Sequence, residues 1–152
     1  FIVSAGGNIV AGDAPLDGVR SGWGIGIQDP FTAQEPGGGN SIDVAYVSNT
    51  CVVTSGDYQR FYMVGDRRVH HIIDPDTLMP ADYYRGVTVI TPDSGIADLA
   101  STTLYTLPFE RSRAMAEAMG WEVMWIFADG TVECTDGMLP LLRDRGGATG
   151  LL

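Results

Sequence analysis

The strongest constraint on the fold is a series of short apolar runs that fills the first two thirds of the chain. They are FIVSAG, NIVAG, WGIGIQDP, SIDVAYVS, CVVTSG, YQRFYMV and RRVHHII. Runs this short, bounded by Gly, Asp, Asn and Pro, are typical of strands joined by turns. The VGDR segment between the last two runs predicts a hairpin turn. TAQEPGGGNS, residues 32 to 41, predicts a flexible loop by composition. The region is therefore expected to form antiparallel sheet.

The pattern changes after a further predicted strand, Val87 to Thr91. Pro92 follows this strand, and Asp93 or Ser94 is suited to cap a helix over GIADLASTTLYTL. The apolar stripe of that helix is expected to contain Ile96, Leu99, Ala100, Thr103 and Leu107.

A second helix, ERSRAMAEAMG, is expected to end at Gly120. The segment WEVMWIFADGTVEC then predicts a strand, an Asp-Gly turn and a strand, whereas residues 136 to 152 give no prediction. The sum is an α+β fold, mostly antiparallel sheet with two or three helices, in a single domain over residues 1 to 152.

Composition and charge limit the classes of function that the chain can have. A chain of 152 residues with 45% hydrophobic composition can bury the core of one domain. The net charge of −10, with only nine basic residues, argues against nucleic-acid binding. An anionic ligand would need a metal ion or helix N-termini to hold it. No run approaches the roughly 18 apolar residues of a membrane helix. The opening FIVSAGGNIV reads as a strand in progress, so upstream sequence is expected.

The two cysteines, Cys51 and Cys134, lack the spacing of metal ligands and are too few for a disulfide framework. A single bridge between them stays open at this point, although a bridge is the less favoured alternative.

Asp98 and Thr102 are four residues apart on the first predicted helix, so their side chains lie one turn apart on the same face. A carboxylate and a hydroxyl so placed can both ligate Mg²⁺ or Ca²⁺, with phosphate oxygens and water completing the shell. The alternative is an Asp that interacts favourably with the helix dipole beside a Thr with no ligand role. Spacing by itself favours this alternative.

The adjacent histidines of RRVHHIIDP, His70 and His71, lie within the predicted strand RRVHHII. Successive strand side chains point to opposite faces, so only one of the two can face a given site. That histidine could serve as a general base, since its pKa lies near working pH. A histidine among apolar neighbours is more often a packing residue, and no complete catalytic constellation is apparent. Two glycine turns, AGGN and TSGDY, could bring backbone N–H groups to a ligand or be plain turns.

Five motifs taken in order carry a resemblance to a known family. GGNI at 6 to 9, WGIGIQDP at 23 to 30, TSGDYQRFY at 54 to 62, HHIIDP at 70 to 75 and ADLAST at 97 to 102 resemble the ApbE family of FAD:protein FMN transferases. The match runs from residue 1 to about residue 135. The resemblance implies an enzyme that splits FAD with Mg²⁺ and transfers FMN to a Thr or Ser hydroxyl of a target flavoprotein, releasing AMP.

The resemblance also implies roles for individual residues. Asp98 and Thr102 match the metal-binding Asp and Thr of the family, and His71 matches the histidine that serves as a base near the acceptor hydroxyl. The positions that match the FAD-binding residues are Gly7, Asn8, Ser55, Gly56, Asp57, Tyr58, Asp74 and Thr77.

This sequence departs from the family pattern in two places. Leu78 stands where the family has glycine after its Asp-Pro, which leaves an FAD-binding module without transferase activity as an alternative function. The upstream A-x-A-K-G segment of the family is not in this chain. The chain therefore resembles the C-terminal part of a transferase, whose N-terminal part would complete the site. The resemblance further implies a bacterial cell-envelope location, as a periplasmic lipoprotein whose signal lies outside this chain.

Overall fold

The computed structural model describes residues 1–37 and 39–152, that is, every residue except Gly38. The strands in this part of the chain are β1 Ile2–Ala5, β2 Asn8–Ala11, β3 Trp23–Gln28, β4 Ser41–Val47, β5 Thr50–Gly56, β6 Phe61–Val64, β7 Arg67–His70, β8 Gly86–Thr91, β9 Glu122–Ile126 and β10 Val132–Cys134. The expected loop over residues 32 to 41 includes Gly38, which lies outside the described residues.

The strands form one large sheet and two ribbons. The sheet has six strands in the order β1-β2-β5-β8-β9-β10, and every neighbouring pair is antiparallel. The two-stranded ribbons are β3–β4 and β6–β7, both antiparallel. In β6–β7 the register pairs Val64 with Arg67, which confirms the predicted turn of Gly65 and Asp66. The expectation of a mainly antiparallel α+β fold is therefore confirmed.

The helices are α1 Ser94–Tyr105, α2 Phe109–Met119 and the short α3 Arg143–Gly146, with a 3-10 turn at Leu139–Leu141. The Asp93 side chain caps α1 by accepting a hydrogen bond from the Ile96 N–H at 2.9 Å. Helix α2 ends at Gly120, whose φ of 67° is the left-handed conformation of a helix C-cap. Both termini agree with the sequence-based expectations.

The centre of the large sheet is covered on both faces, whereas its edge strand β1 is exposed. Alternation along β8 places Val87 and Val89 against α1, where they pack with Leu104 and Tyr105. The opposite face carries Ile90, which packs in a cluster with the β3–β4 ribbon and the C-terminal segment. Burial on both faces agrees with the burial of every β8 residue from Gly86 to Ile90.

The predicted apolar stripe of α1 is confirmed at Ala100 and wrong at Ile96 and Leu99. The helix buries Ala97, Ala100, Ser101, Leu104 and Tyr105. Ile96 and Leu99 are 45% and 69% exposed. Small side chains at 97, 100 and 101 allow the helix to lie close to β5 and β8, and this close packing decides which face is buried. Apolar character by itself indicated a face rotated away from the true one.

Residues 136 to 152, which gave no prediction, are held by Asp43 of β4. The fully buried Asp43 carboxylate accepts hydrogen bonds from the backbone N–H groups of Asp144 and Arg145, at 2.9 and 3.2 Å. It also pairs with the Arg145 guanidinium at 3.0 Å. These contacts fix α3 against β4.

The two cysteines are free thiols, so the alternative of a disulfide is wrong. Burial raises the pKa of both, and that of Cys134 rises to about 11. Across residues 1–37 and 39–152, no helix has the length and apolar character needed to cross a bilayer.

Candidate functional site

Six of the predicted site residues line one open cleft of about 310 Å³: His71, Ser55, Gly56, Tyr58, Asp98 and Thr102. The cleft lies where the end of β5, the segment after β7 and the outer face of α1 meet. Gly6, Thr54, Gln59, Arg60, Ile72 and Ile73 complete its wall. Residues far apart in sequence are thus brought together by three separate elements.

Oxygen atoms of α1 and β5 are concentrated on one side of the cleft. The Thr102 Oγ1 donates to the backbone carbonyl of Asp98 at 3.3 Å, and it lies 3.1 Å from the Ser55 Oγ. Ser55 also contacts the buried Ser101 Oγ at 2.8 Å. These contacts hold the Thr102 hydroxyl in a fixed orientation while it keeps lone pairs for a further partner.

The Asp98 carboxylate is exposed at the same side of the cleft. In the described part of the chain it accepts no hydrogen bond and forms no ion pair. No cluster of three or more His, Cys, Asp or Glu side chains able to hold a metal occurs among these residues. An unpaired carboxylate and a fixed hydroxyl are hard oxygen donors that fit Mg²⁺ or Ca²⁺, as part of a shell that ligand oxygens would complete.

The two histidines lie in different environments. His71 is exposed in the cleft, and its Nδ1 makes a long contact of 3.4 Å with the Arg60 carbonyl. Its Nε2 has no protein partner within the described residues. His70 is buried, its Nε2 lies 2.8 Å from the Ala81 carbonyl, and burial lowers its pKa. Of the two histidines, therefore, only His71 has a ring nitrogen that a ligand in the cleft could reach.

The Asp57 side chain does not reach the cleft. It is fully buried, and its two oxygens accept hydrogen bonds from Arg68 at 3.0 Å and Arg85 at 2.7 Å. The chain turns immediately after Gly56, which directs this carboxylate inward rather than along the cleft wall. The prediction that Asp57 contacts FAD is corrected to this extent: its side chain is enclosed and paired, so any role is in positioning.

The position of the Tyr58 ring requires glycine at residue 56. A Cβ built at Gly56 would lie 2.3 Å from the ring of Tyr58, too close for any side chain. Tyr58 is buried, and burial raises its pKa to about 12. The tyrosine ring packs over the glycine and closes the inner end of the cleft.

Gly7 and Asn8 lie at the β1–β2 turn, where Gly6 rather than Gly7 lines the cleft. The Asn8 Nδ2 donates to the Ser94 carbonyl at 3.3 Å, and its Oδ1 is buried with no hydrogen-bond partner among residues 1–37 and 39–152. This side chain therefore ties the turn to the start of α1.

Asp74 and Thr77 lie outside the cleft lining, in the turn that follows His71. The buried Asp74 Oδ1 accepts from the Asp76 N–H at 2.8 Å and the Thr77 N–H at 3.4 Å, which lowers the Asp74 pKa. Leu78 follows with φ 58°, a left-handed conformation that favours glycine. Leu78 therefore adopts a backbone conformation that glycine adopts readily.

Part of the cleft wall consists of residues that were not predicted from the sequence: Thr54, Gln59, Arg60, Ile72 and Ile73. The one signal in the sequence was closeness along the chain, because each of the five lies within two residues of a predicted site residue. Their side chains carry no chemistry that distinguishes them in a single sequence.

The fold and the cleft together define a class: an α+β protein with an antiparallel sheet and a cleft rich in oxygen donors beside an accessible histidine. Comparison with known sequences then gives the family, because the ApbE family model matches residues 1–125. The chain belongs to the ApbE family.

Individual relatives agree with this assignment. The chain is 36% identical over 151 residues to the FAD:protein FMN transferase of Treponema pallidum, covering 93% of this chain and 40% of the relative. It is 30% identical over 132 residues to the FAD:protein FMN transferase of Escherichia coli K12, covering 86% of this chain and 36% of the relative. The chain thus spans less than half the length of these relatives.

Solved structures give the same result. The ApbE protein of Thermotoga maritima aligns with a TM-score of 0.80 and 29% identity, over 93% of this chain and 44% of that one. The apo flavinyl transferase ApbE of Pseudomonas stutzeri aligns with a TM-score of 0.71 and 28% identity, over 95% of this chain and 43% of that one. The fold of this chain therefore corresponds to part of the ApbE fold.

Proposed function

We propose that the protein containing this chain is an Mg²⁺-dependent transferase that moves FMN from FAD to a Thr or Ser hydroxyl of a target flavoprotein and releases AMP. One observation carries the proposal: His71, from the segment after β7, lines the same cleft as Asp98 and Thr102 of α1. The names of the relatives support the choice of FAD and FMN as the transferred chemistry.

Asp98 and Thr102 are the residues that would hold the metal, Mg²⁺ or alternatively Ca²⁺. When bound, the ion would neutralise the pyrophosphate of FAD and the charge that develops on it during transfer. Ser55 and Ser101 keep the Thr102 hydroxyl pointing in one direction. An acidic chain with a net charge of −10 could hold an anionic substrate in this way.

His71 would act as the general base. Its free Nε2 takes the proton of the acceptor hydroxyl as that oxygen attacks the FMN-side phosphorus of FAD. The new bond joins the hydroxyl oxygen to this phosphorus, and the pyrophosphate bond to the AMP phosphate breaks. AMP leaves with both electrons of the broken bond, so the step balances without an oxidant or a reductant.

The remaining predicted residues would form part of the FAD pocket. Gly56 and Tyr58 shape the inner end of the cleft, and the turns that contain Gly7, Asn8, Asp74 and Thr77 flank it. Pockets for drug-sized ligands have volumes of about 300–1,000 Å³. A dinucleotide requires more space than a cleft of about 310 Å³ offers. We infer that the part of the relatives' length that this chain does not span contributes the rest.

The alternative, an FAD-binding module without transferase activity, rested on Leu78. Because Leu78 adopts φ 58°, the turn after Asp74 keeps a backbone that suits the family glycine. No structural reason for a loss of activity remains at this position, so we favour the transferase.

The experiment uses the natural full-length protein with FAD, Mg²⁺ and a flavoprotein acceptor. Covalent flavin fluorescence on the acceptor and AMP release report transfer. We expect both signals for the unaltered protein, and their loss in His71→Asn and Asp98→Asn. Glu110→Gln, which changes an exposed carboxylate on α2, is the matched control and should retain activity. Full transfer by both cleft variants would contradict the assignment.

The cell-envelope location also remains a proposal. Relatives of this family are expected to act at the periplasmic face of the inner membrane as lipoproteins. Fractionation of the producing cells tests this expectation, because recovery of the full-length protein in the cytosol would exclude it.

A further inference from the structure

The β6–β7 ribbon exposes an apolar face that leads to His71. The register pairs Tyr62 with Val69 and Val64 with Arg67, and pairs directly opposite one another share a face. Strand β7 ends at His70, and His71, which follows directly, lines one depression together with Tyr62 and Val69. Tyr62 and Val64 are 63% and 59% exposed. We call Tyr62, Val64 and Val69 the ribbon face.

Tyr62 and Val69 of the ribbon face adjoin the cleft through a shared depression. A depression of about 340 Å³ is lined by Tyr62, Val69, Arg60, His71 and Ile73 together with neighbouring ribbon residues. Arg60, His71 and Ile73 also line the cleft. A chain bound along the ribbon face would therefore reach the exposed nitrogen of His71.

The ribbon also offers a free edge. Within the described residues β6 and β7 pair with each other and with no other strand. In a hairpin with a two-residue turn, the pair next to the turn is hydrogen-bonded and the pairs then alternate. The register therefore directs the backbone N–H groups of Phe61 and Met63 away from β7, where an added strand could pair with them.

Charge indicates what kind of chain would bind. The protein carries a net charge of −10, yet the segment from residue 60 to residue 71 contains three arginines and one aspartate. Arg68 is paired with Asp57. Arg60 and Arg67 are exposed, and no carboxylate of the described residues lies within 4.0 Å of either. This locally basic, apolar surface complements an acidic segment with apolar side chains.

We propose that the ribbon face and the free edge of β6 bind an extended, acidic segment of the acceptor flavoprotein as a third strand. The segment places its Ser or Thr hydroxyl at His71. This inference rests on the proposed transferase function, because it assigns the macromolecular partner of the same cleft. Backbone pairing supplies affinity that is independent of sequence, and the apolar face and the arginines supply selectivity.

The test measures FMN transfer by the full-length protein as a function of acceptor concentration. The double variant Tyr62→Ser/Val64→Ser should raise the KM for the acceptor about tenfold, as expected when apolar interface side chains are truncated. The kcat and the affinity for FAD, followed by flavin fluorescence, should not change. Leu16→Ser, which alters a fully exposed leucine elsewhere, is the control and should leave KM unchanged.

Two further variants probe the edge and the charge. Met63→Pro removes the outward N–H without removing a ribbon hydrogen bond, so it should also raise KM. Arg67→Glu should raise KM and make it less sensitive to salt, whereas Arg111→Glu on α2 should not.

The outcomes separate this inference from the proposed function. If the unaltered protein performs no transfer, the proposed function fails. If it transfers FMN but the ribbon variants keep the KM of the unaltered protein, the docking surface is wrong and the function stands. An unchanged KM with lower thermal stability would show that the protein's own remaining chain covers the ribbon. An unchanged KM with an altered oligomeric state would show a second copy there. Either result overturns the inference.

Discussion

Two polar clusters lie on opposite sides of the end of β7, and they differ in whether their charged groups are buried and paired. The inner cluster is Asp57, Arg68, Arg85 and His70, where the carboxylate is fully buried and both its oxygens are paired. The outer cluster is His71 and Asp98 with Thr102, in an open cleft. The two clusters divide residues of the same type. His70 belongs to the inner cluster and its neighbour His71 to the outer one. Asp57 likewise belongs to the inner cluster and Asp98 to the outer one.

The difference distinguishes structural polar groups from those available to a ligand. A buried charge must be paired, because the loss of hydration is otherwise too costly. An exposed charge can remain unpaired at little cost, and it can then bind a ligand. Residue type did not assign these roles; burial and hydrogen-bond partners do.

The largest effect is expected for Asp98→Asn. If Asp98 holds the metal as proposed, its loss should lower kcat for FMN transfer at least a hundredfold, while the free energy of unfolding changes by no more than about 0.5 kcal/mol. Steady-state transfer assays and urea unfolding check the two halves. Mg²⁺-dependent stabilisation of the FAD-bound protein should also disappear. Retention of that stabilisation would argue against Asp98 as a ligand.

The reciprocal change is Asp57→Asn. It leaves Arg68 and Arg85 facing a neutral amide, and removing one partner of a buried ion pair typically costs about 3 kcal/mol. The two guanidinium groups are about one third exposed, which reduces the loss to about 2 kcal/mol. Urea unfolding of Asp57→Asn beside Asp98→Asn measures the contrast. Equal stabilities would remove the distinction between the clusters.

The two histidines should differ in their effect on acid stability. Burial lowers the His70 pKa, so the folded protein keeps this ring neutral. Above about pH 6.5, the ordinary histidine pKa, the ring is neutral in both states and the full stability is present. As the pH falls below that value the unfolded state gains a proton first, so stability decreases towards the folded-state pKa. His70→Gln should remove this part of the acid sensitivity, and unfolding curves from pH 7 to pH 5 measure it. His71→Gln is the control, and an identical effect of both substitutions would contradict the assignment.

The smallest effect concerns Leu78, in the exposed turn that follows Asp74. A left-handed leucine costs about 1–2 kcal/mol, and glycine returns part of that gain by making the unfolded chain more flexible. Leu78→Gly should therefore raise the free energy of unfolding by about 0.5 kcal/mol. Leu78→Ala keeps the Cβ and should show no such gain. A loss of stability in Leu78→Gly would mean that the leucine side chain packs more favourably than its 76% exposure indicates.

Local signals in the sequence predicted the elements well. Asp93, Gly120 and the VGDR turn act through neighbours within a few residues, so their effects can be seen in the sequence itself. The i, i+4 spacing likewise placed Asp98 and Thr102 on one face of α1, since helix geometry is local.

The failures involve long-range packing. The buried face of α1 depends on how closely the helix approaches β5 and β8, which no periodicity records. The inward direction of Asp57 depends on Arg85, which lies 28 residues away. Helix α3 escaped prediction because its N–H groups are satisfied by a carboxylate 101 residues earlier in the chain. Partners at such distances cannot be identified in a single sequence.

The Asp43 contacts have a consequence for the order of folding. During synthesis β4 emerges long before Asp144 and Arg145 do. The Asp43 carboxylate therefore remains hydrated until these hydrogen-bond partners have been synthesised. Contacts of such large sequence separation form late, because a long loop has to close first. We therefore expect the β3–β4 ribbon to remain loosely attached on the ribosome, and to be fixed only when the C-terminal segment arrives.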